Sequence, residues 1–420
     1  MSFQQGLSGL NATSKNLDII GNNIANANTY GSKVARAEFT DVYAASLSGA
    51  GNSRVGIGTN LASVSQQFTQ GNITTTQNAL DLAINGAGFF QLTGGNTPVT
   101  YSRNGQFKVD RDGYVVNNSG LRLMGYPADA MGQIQPGQAV PLQLPTGGIN
   151  PNPTSVIELE FNLDARQAPT RPPVAPQIVF SDADTYNNAT SLTLYDAKGQ
   201  EVAVTYYFQK ESNDLWNLYA TANGQTIGGV AGAPLPIATI QFAADGSRPL
   251  APVGAVTIDI PASVNAAGAL TNAIPGIQLD LGRATQYGSS FGVTNMRQDG
   301  FSAGQLNAIA IEPNGIISAR YSNGQSKPAG QIEIATFRNP QGLQPVGDNG
   351  WARSFASGDA VVGVPGDGNL GVLQAGALEE SNVDITAELV SMIVAQRIYQ
   401  ANAQTIKAQD QVLQTMVNLR

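Results

Sequence analysis

The final stretch of the chain, from Ala377 to Arg420, most strongly limits what the whole chain can fold into. The sequence contains 47 glycines and 22 prolines, yet none of them falls in this stretch. Counting in alternating steps of four and three from Ile385 gives a mostly apolar series, which predicts one long amphipathic helix. Gln396 and Asp410 interrupt this series, which argues against a regular two-stranded coiled coil. Its large apolar members, which need a partner, are Leu389, Met392, Tyr399, Ile406, Leu413 and Val417.

A second amphipathic helix is predicted at the other end of the chain, over residues 1–30. Ser2 and Gln5 have the spacing of a capping box, which satisfies free amides at a helix start. Gly21 and the two asparagines after it are poor helix formers, each costing up to about 1 kcal/mol relative to alanine. This helix therefore depends on packing, and we expect it to pair with the C-terminal helix. Its large apolar members by the same count are Phe3, Leu7, Leu10, Leu17 and Ile24.

Charge and residue types exclude several classes of function. Lysine and arginine total 22 against 30 aspartates and glutamates, so the chain lacks the basic character that nucleic acids and anionic membranes attract. Cysteine and histidine are absent, which excludes disulfides, thiol nucleophiles, Ser-His-Asp triads and the common zinc sites. No apolar run is long enough to span a membrane, and no secretory signal precedes Lys15. The Gly-, Asn- and Thr-rich composition is typical of secreted β-proteins, so we expect a non-classical export route.

The region between the two helices has β patterning, in three blocks. Alternating apolar residues and the turn signals Asp112-Gly113 and Asn314-Gly315 predict β blocks over Leu80–Leu144 and from Val293 to Gly371. An all-β domain is predicted between them. We expect the outer blocks to form one discontinuous domain, because the ends of an inserted domain usually lie close together. The predicted fold is therefore mainly β with α-helical termini that pair in a coiled-coil-like bundle.

The expected organisation has six parts. They are an N-terminal assembly helix at 1–30, an extended linker region at 31–78, the first half of the discontinuous β domain at 79–146, an inserted all-β domain at 147–292, the second half at 293–371 and a C-terminal assembly helix at 372–420.

Three motifs that carry chemistry elsewhere are interpreted as ordinary turns. Gly86-Ala87-Gly88 lacks the third glycine and the following helix of a dinucleotide site. The Asp182, Asp184 and Asn187 group lacks the sixth-position glycine and the twelfth-position glutamate of a calcium loop. Asp110 and Asp112 flank a hairpin turn and do not form an acid–base pair. We therefore predict no enzyme activity, no cofactor and no metal site.

Both ends of the chain and its first β block carry recognisable motifs. They are Leu17-Asp18, Asn22 to Asn26, Asn28-Thr29, Gly31 and Lys33 near the N-terminus, Leu80 to Gly86, Gly88 to Phe90 and Asp112 to Tyr114 in the first β block, and Glu379 to Asp384 and Gln396 to Asn402 near the C-terminus. These motifs resemble those of the flagellar rod, hook and hook-associated axial proteins. Within that family, chain length and the large inserted domain favour a hook-type member over the shorter distal-rod proteins.

This resemblance implies a helical homopolymer outside the cell, in the flagellar basal body and hook. The tube would act as a universal joint that passes torque to the filament, with the discontinuous β domain as its wall and the inserted domain outside. The apolar members of the two helix series are then the assembly residues. The implied partners are other copies of the chain, the distal rod protein, the hook cap, the hook-length control protein, the hook–filament junction proteins and the flagellar type III export apparatus, with no nucleic acid and no membrane insertion.

Two further roles follow as hypotheses. A polar, almost uncharged flank of the C-terminal helix is expected to face the channel, and it consists of Gln400, Gln404, Gln411, Gln414 and Asn418. Bending is expected to use hinges at Gly31, Gly49, Gly51, Gly371 and Gly376. In the free subunit we expect the termini to be disordered, since they bury too little apolar area alone. The alternatives are a rod-type axial protein and, from another class, a secreted β-rich adhesin.

Overall fold

The computed structural model describes residues 2–43, 56–95, 97–129, 131–230 and 232–418. Its contacts divide the chain into two compact units. The first, here called the terminal unit, consists of Met1–Thr146, Ala308–Arg320 and Ser326–Arg420. The second, called the inserted unit, consists of Gly147–Asn307 and Tyr321–Gln325.

The chain begins with helix α1, Ser2–Ala25, and then turns at residues 26–31. In that turn the Thr29 hydroxyl donates to the Asn26 carbonyl at 2.7 Å. Strands of the terminal unit follow. They are β1 Ala35–Tyr43, β2 Gly56–Gln66, β3 Ile73–Thr75, β4 Leu82–Asn85, β5 Phe89–Thr93, β6 Thr100–Ser102, β7 Lys108–Val109, β8 Val115–Val116, β9 Arg122–Pro127 and β10 Val140–Pro141.

The inserted unit contains two larger sheets around one hydrophobic core. Its strands are β11 Val156–Asp164, β12 Asn188–Tyr195, β13 Glu201–Ser212, β14 Leu215–Ala222, β15 Gln225–Ile227, β16 Gly229–Val230, β17 Ala233–Pro234, β18 Ala238–Phe242, β19 Pro249–Ala251, β20 Val256–Ile260, β21 Ile274–Asp280, β22 Thr285–Tyr287 and β23 Gly292–Gln298, with a 3₁₀ turn at Ala183–Thr185.

One of these sheets has the strand order β20–β21–β11–β22, with β23 also paired to β11. The other has the order β12–β13–β14–β18–β19, with β15 beside β14. Alternation along β11 buries Ile157 and Phe161, which contribute to the same core as Phe208 and Trp216 from the second sheet. Fully buried aromatic side chains each remove a large apolar area from water, so this core is a main source of the unit's stability.

Strand β23 belongs to the inserted unit, although the sequence pattern predicts that this unit ends at residue 292. It runs antiparallel to β11, with Val293 opposite Phe161 and Met296 opposite Leu159. Because these pairings belong to the inserted unit, the chain returns to the terminal unit only after Asn307.

The second half of the terminal unit completes the sheet begun by the first half. Its elements are β24 Leu306–Ile311, β25 Ile316–Tyr321, β26 Ser326–Ile332, β27 Ile334–Thr336, a 3₁₀ turn at Pro340–Gly342, β28 Gln344–Gly347, β29 Gly350–Ala352, β30 Val361–Gly363, β31 Val372–Ala375, β32 Ala377–Glu379 and helix α2 Ile385–Asn418.

The main sheet of the terminal unit has the order β24–β25–β26–β9–β5–β6–β29–β28, with β7, β8, β10, β27 and β30 paired at its sides. Ile332 of β26 lies opposite Gly125 of β9, and Ile334 of β27 lies opposite Phe90 of β5. Residues from both halves share one buried core. The predicted fold class, mainly β with paired terminal helices, is confirmed.

The turn predicted at Asp112-Gly113 joins β7 and β8. Gly113 adopts a positive φ of 86°, whereas Asp112 does not. Gly113 N–H donates to the Asp110 carbonyl at 3.1 Å, and the Asp110 carboxylate accepts from the Tyr114 N–H at 2.8 Å. This is a longer loop with glycine in the left-handed position, and it uses the Asp110 carboxylate as a turn acceptor.

Candidate functional site: the helix pair and its junction

Helices α1 and α2 pack against each other in antiparallel orientation, through small and polar residues on α1. A Cβ built at Gly6 would lie 3.1 Å from Ile406 Cγ1, and one at Gly9 would lie 2.8 Å from Asn402 Nδ2. Thr13 is buried, and its hydroxyl donates a hydrogen bond to the Gly9 carbonyl at 2.7 Å. Close approach at two glycines therefore defines the seam between the helices.

The apolar series predicted for α1 is only partly buried. Leu7 is 44% exposed, whereas Leu10, Leu17 and Ile24 are half-buried. The side chain of Phe3 is outside the described part of the structure. Ile20, which the series omits, is buried, and the role of the series in assembly stays a prediction.

The predicted apolar series on α2 divides into two groups by solvent exposure. Met392 and Ile406 are half-buried, while Leu389, Tyr399 and Leu413 are exposed. Gln400, Gln404, Gln411 and Gln414, the predicted channel flank, are all exposed. The side chains of Val417 and Asn418 are not described.

A further apolar surface of α2 was missing from the predicted assembly set. We call it the outer apolar surface, and it comprises Val390, Ile393, Val394, Ile398 and Val412, each about half exposed. Most of it lies in the first half of the helix. A weakly apolar stripe next to the predicted series includes Ile398 and Val412, and its alanine and threonine residues make it less apolar than that series.

The strands β1 and β2 form an antiparallel hairpin that contacts α1. Gln5 Nε2 donates to the Gly56 carbonyl at 2.6 Å, and the Thr59 N–H donates to the Ser8 hydroxyl at 3.3 Å. An apolar groove of about 280 Å³ between the hairpin and the helix pair is lined in part by Phe39 and Ile398. The region 31–78, expected to be an extended linker, thus contains a β hairpin that packs against the helix pair.

Where the helices meet the sheets, three buried charges form what we call the junction cluster: Lys33, Arg103 and Glu379. Lys33 Nζ lies 2.6 Å from Glu379 Oε1, and Arg103 Nη1 lies 3.1 Å from Oε2. The Gly71 N–H also donates to Oε1 at 2.9 Å. The side chains of Lys33 and Glu379 have no exposed area and that of Arg103 is 5% exposed. Each carboxylate oxygen is therefore neutralised by a cation inside the protein.

The two cations extend the cluster to further segments of backbone. Lys33 Nζ donates to the Thr69 carbonyl at 2.7 Å, and Arg103 Nη2 donates to the Gly86 carbonyl at 2.9 Å. The Arg103 guanidinium also lies 5.3 Å from the centre of the Phe89 ring. Burial lowers the pKa of Lys33 and the pKa of Arg103, and the Glu379 carboxylate opposes this effect in both.

Two asparagines reinforce the junction. Asn382 accepts from the Val34 N–H at 2.8 Å through Oδ1 and donates to the Gln67 carbonyl at 2.8 Å through Nδ2. Asn23 Nδ2 donates to the Ala35 carbonyl at 2.8 Å, and Asn23 Oδ1 accepts from the Ala35 N–H at 2.9 Å. Asp384 caps α2 by accepting from backbone amides of the first turn. The N- and C-terminal motifs of the sequence therefore meet here, although sequence reasoning assigned these residues no structural role.

The predicted hinge glycines that the structure describes lie in close backbone contacts. Gly31 is buried at φ 72°, and its N–H donates to the Glu379 carbonyl at 2.8 Å. Gly371 N–H donates to the Ala87 carbonyl at 2.7 Å. Gly376, at φ 66°, donates its N–H to the Asp81 carbonyl at 2.8 Å. Gly49 and Gly51 lie outside the described residues, and a hinge role at all five positions stays a prediction.

Within the described ranges, no helix is long and apolar enough to cross a membrane. Among the same residues, no cluster of three or more metal-ligating side chains is found.

Family models match the chain over four ranges. They are "Flagella basal body rod protein" at 3–33, "Flagellar hook protein FlgE/F/G D1 domain" at 83–157, "Flagellar basal body protein FlaE D2 domain" at 162–301 and "Flagellar basal body rod FlgEFG protein C-terminal" at 374–419.

Full-length relatives and a solved structure agree with these matches. The chain is 41% identical over 424 residues to the flagellar hook protein FlgE of Salmonella typhimurium (strain LT2), with all of both chains covered. It is 40% identical over 426 residues to FlgE of Escherichia coli (strain K12), again with complete coverage. The crystal structure of Helicobacter pylori flagellar hook protein FlgE2 has a TM-score of 0.53 and 14% identity, covers 73% of this chain and all of its own, and supports the fold.

Paired terminal helices on a β unit with a second β unit inserted, matched at both ends by rod models, define a structural subunit of the flagellar axis. The full-length identities specify which one: the chain belongs to the flagellar hook protein FlgE family and is a non-enzymatic hook subunit. The predicted hook-type member and its location in the flagellar hook and basal body are confirmed, and the family implies self-assembly. The rod-type and adhesin alternatives are set aside by these full-length identities.

Proposed function

We propose that copies of this chain polymerise through their helix pairs into a flexible tube that passes torque from the rod to the filament. The observation that carries this proposal is the outer apolar surface of α2. It stays half exposed although α1 already packs on another face of the same helix. Burial of apolar surface yields about 25 cal/mol per Å², so neighbouring copies that cover this surface stabilise the polymer.

The stripe of α2 that begins at Leu389 and Ile393 supports a division of labour along the helix. Continued in steps of three and four, it becomes polar and reaches Gln400, Gln404 and Gln411. In this proposal the apolar first half of α2 contacts neighbouring copies. The glutamine flank, with Gln414 and Asn418, lines the central export channel. Uncharged amides stay hydrated and attract passing chains weakly, because they carry no net charge.

The remaining assembly residues of the proposal are those beside the seam. Leu7, Leu10 and Leu17 of α1 and Leu389, Tyr399 and Leu413 of α2 then contact neighbouring copies, while Met392 and Ile406 support the intrachain pair. Phe3, Ile24 and Val417 belong to the same proposal. The parts of both helices far from the junction gain order on assembly, since helices derive most of their stability from packing.

The proposed partners beyond other copies follow from membership of the hook family. They are the distal rod protein, the hook cap, the hook-length control protein and the hook–filament junction proteins, with subunits delivered unfolded by the type III export apparatus. The absence of cysteine is compatible with unfolded export, because no disulfide has to be broken.

Matched aspartate substitutions on α2 test the proposal. Val394→Asp places a charge in the outer apolar surface, and Gln400→Asp adds the same charge on the predicted channel flank. We expect Val394→Asp to raise the critical concentration for polymerisation at least 100-fold and Gln400→Asp to change it less than 5-fold, measured by sedimentation with electron microscopy. Equal polymerisation by both variants would contradict the proposed role of the apolar surface. Circular dichroism checks that the β units remain folded.

A further inference from the structure

The loop between β29 and β30 carries Phe355, which at 105% is the most exposed large apolar side chain in the described part of the chain. Scattered hydrophobic residues on a surface are common and carry no meaning by themselves. An aromatic ring that projects wholly into water offers a large apolar area for burial against a partner. How well it suits such a contact depends on how firmly its loop is held.

Hydrogen bonds hold the backbone on both sides of Phe355. The Ser354 hydroxyl donates to the Gly342 carbonyl at 2.6 Å, and Asn339 Nδ2 donates to the Ala356 carbonyl at 3.0 Å. The Ala356 N–H in turn donates to the Ser354 hydroxyl at 3.0 Å. Because these bonds already fix the loop, docking of the ring costs little further backbone entropy. We call this preformed apolar projection the Phe355 knob.

The terminal unit also contains a surface that fits such a knob, the apolar groove of about 280 Å³ between the β1–β2 hairpin and the helix pair. An apolar cavity of about 150 Å³ is enough to take up a benzene molecule, so the groove has room for a phenyl ring. Among the described residues, none that lines the groove is charged. The charges beside the knob, Arg353 and Asp359, pair with each other, so the knob brings no net charge to the groove.

We propose that the Phe355 knob of one copy docks in the groove of a second copy. This rests on the proposed function and deepens it by naming two surfaces that meet in the polymer. The groove shares Ile398 with the outer apolar surface of α2, so the docked ring continues the apolar contact between copies. Knob and groove are different surfaces of one chain. Their contact is therefore heterologous, and each added copy leaves one of them free for the next.

Cross-linking in assembled tubes tests this contact, and the natural chain supports the test because it contains no cysteine. Ala356→Cys places a thiol next to the knob, and Ala12→Cys places one in the groove, with both aromatic rings left intact. Tubes are grown from an equal mixture of the two single variants and treated with a short bismaleimide. Every link between residues 12 and 356 then joins two copies, and mass spectrometry of the linked peptides counts them.

A matched alanine provides the control. Ala62 is exposed on β2 and does not line the groove. We expect abundant links from residue 356 to residue 12 and few to Ala62→Cys, and adding Phe355→Ser to the Ala356→Cys variant should abolish the links. Links to residue 12 no more frequent than those to residue 62, or equally frequent without the ring, would overturn the inference. Predominant links from residue 356 to another surface would overturn it as well.

The critical concentration for polymerisation gives a second readout. Phe355→Ser is expected to raise it about 10-fold, because the apolar area of the ring is lost from the contact, and Phe355→Leu should restore most of the difference. Val253→Ser removes another exposed side chain, 94% exposed on the inserted unit, and should leave polymerisation unchanged. Equal critical concentrations for Phe355→Ser and the natural chain would contradict the inference.

The two proposals fail in distinguishable ways. If normal tubes form without links between residues 12 and 356, this inference is wrong and the proposed function stands. If the natural chain forms no tubes at all, the proposed function is wrong, and the docking of the knob is wrong with it.

Discussion

The junction and the distal parts of the helix pair are built in opposite ways. At the junction, contacts are polar and buried. Charged side chains pair with each other, and asparagine amides accept hydrogen bonds from backbone N–H groups. Along the distal helices, the seam residues are small, and large apolar side chains such as Val412 remain 52% exposed. The first arrangement is complete within one chain, while the second acquires its full stability from further copies. The comparison teaches that one helix can be attached by buried polar contacts at one end and be an assembly surface along the rest.

The largest effect is expected from removing the shared carboxylate at the junction. Glu379→Ala leaves Lys33 and Arg103 buried without a counter-charge, which typically costs about 3–5 kcal/mol. Denaturant unfolding should show the loss in the terminal unit, while the inserted unit, monitored by Trp216, unfolds as before. A loss below about 1 kcal/mol would remove the contrast between junction and distal helices.

The helix seam should respond less, and in two directions. Gly9→Val puts side-chain atoms where a Cβ alone already lies 2.8 Å from Asn402, so overpacking should cost about 1–3 kcal/mol of helix pairing. Gly21→Ala meets nothing within 4 Å and should stabilise α1 by about 0.5–1 kcal/mol through higher helix propensity. Thermal melting followed at 222 nm in assembled tubes measures both. The same sign for both substitutions would contradict the assigned seam.

A buried carboxylate without cations sharpens the comparison with Glu379. Burial raises the pKa of Glu333, although Gln91 Nε2 donates to Oε1 at 2.9 Å, and among the described residues its Oε2 has no hydrogen-bond partner. A raised folded-state pKa stabilises the fold at low pH, and this contribution is lost as pH rises through that pKa. Glu333→Gln should therefore gain stability relative to the natural chain at pH 7, by about 1 kcal/mol, and lose that advantage near pH 4. Denaturant unfolding at the two pH values checks this.

The smallest effect is expected from an ion pair of the inserted unit whose cation is exposed to solvent. Arg166, whose side chain is 64% exposed, bonds to Asp164 and lowers the pKa of that carboxyl to about 2. A depressed pKa gives stability that is present above the unfolded-state value and lost as pH falls toward 2. Asp164→Asn should thus lower the melting temperature of the inserted unit slightly at pH 6 and not at pH 2. An effect as large as that of Glu379→Ala would show that burial is not what separates these pairs.

The sequence predicted what depends on local periodicity. Both helices and the glycine turns at Gly113 and Gly315 follow from residue types and spacing within a short stretch of sequence. The junction cluster could not be predicted, since Lys33 and Glu379 are 346 residues apart and only the fold brings them together. The seam was misjudged for a different reason: a hydrophobic count selects leucines, while close packing of two helices used Gly6 and Gly9.

The seam of glycines and amides sets the distance between the two helices. A Cβ at Gly6 or Gly9 would already lie within 3.1 Å of α2, so a larger side chain at either position pushes the helices apart. In the proposed polymer every copy repeats this spacing, so the two glycines fix a dimension of the whole tube.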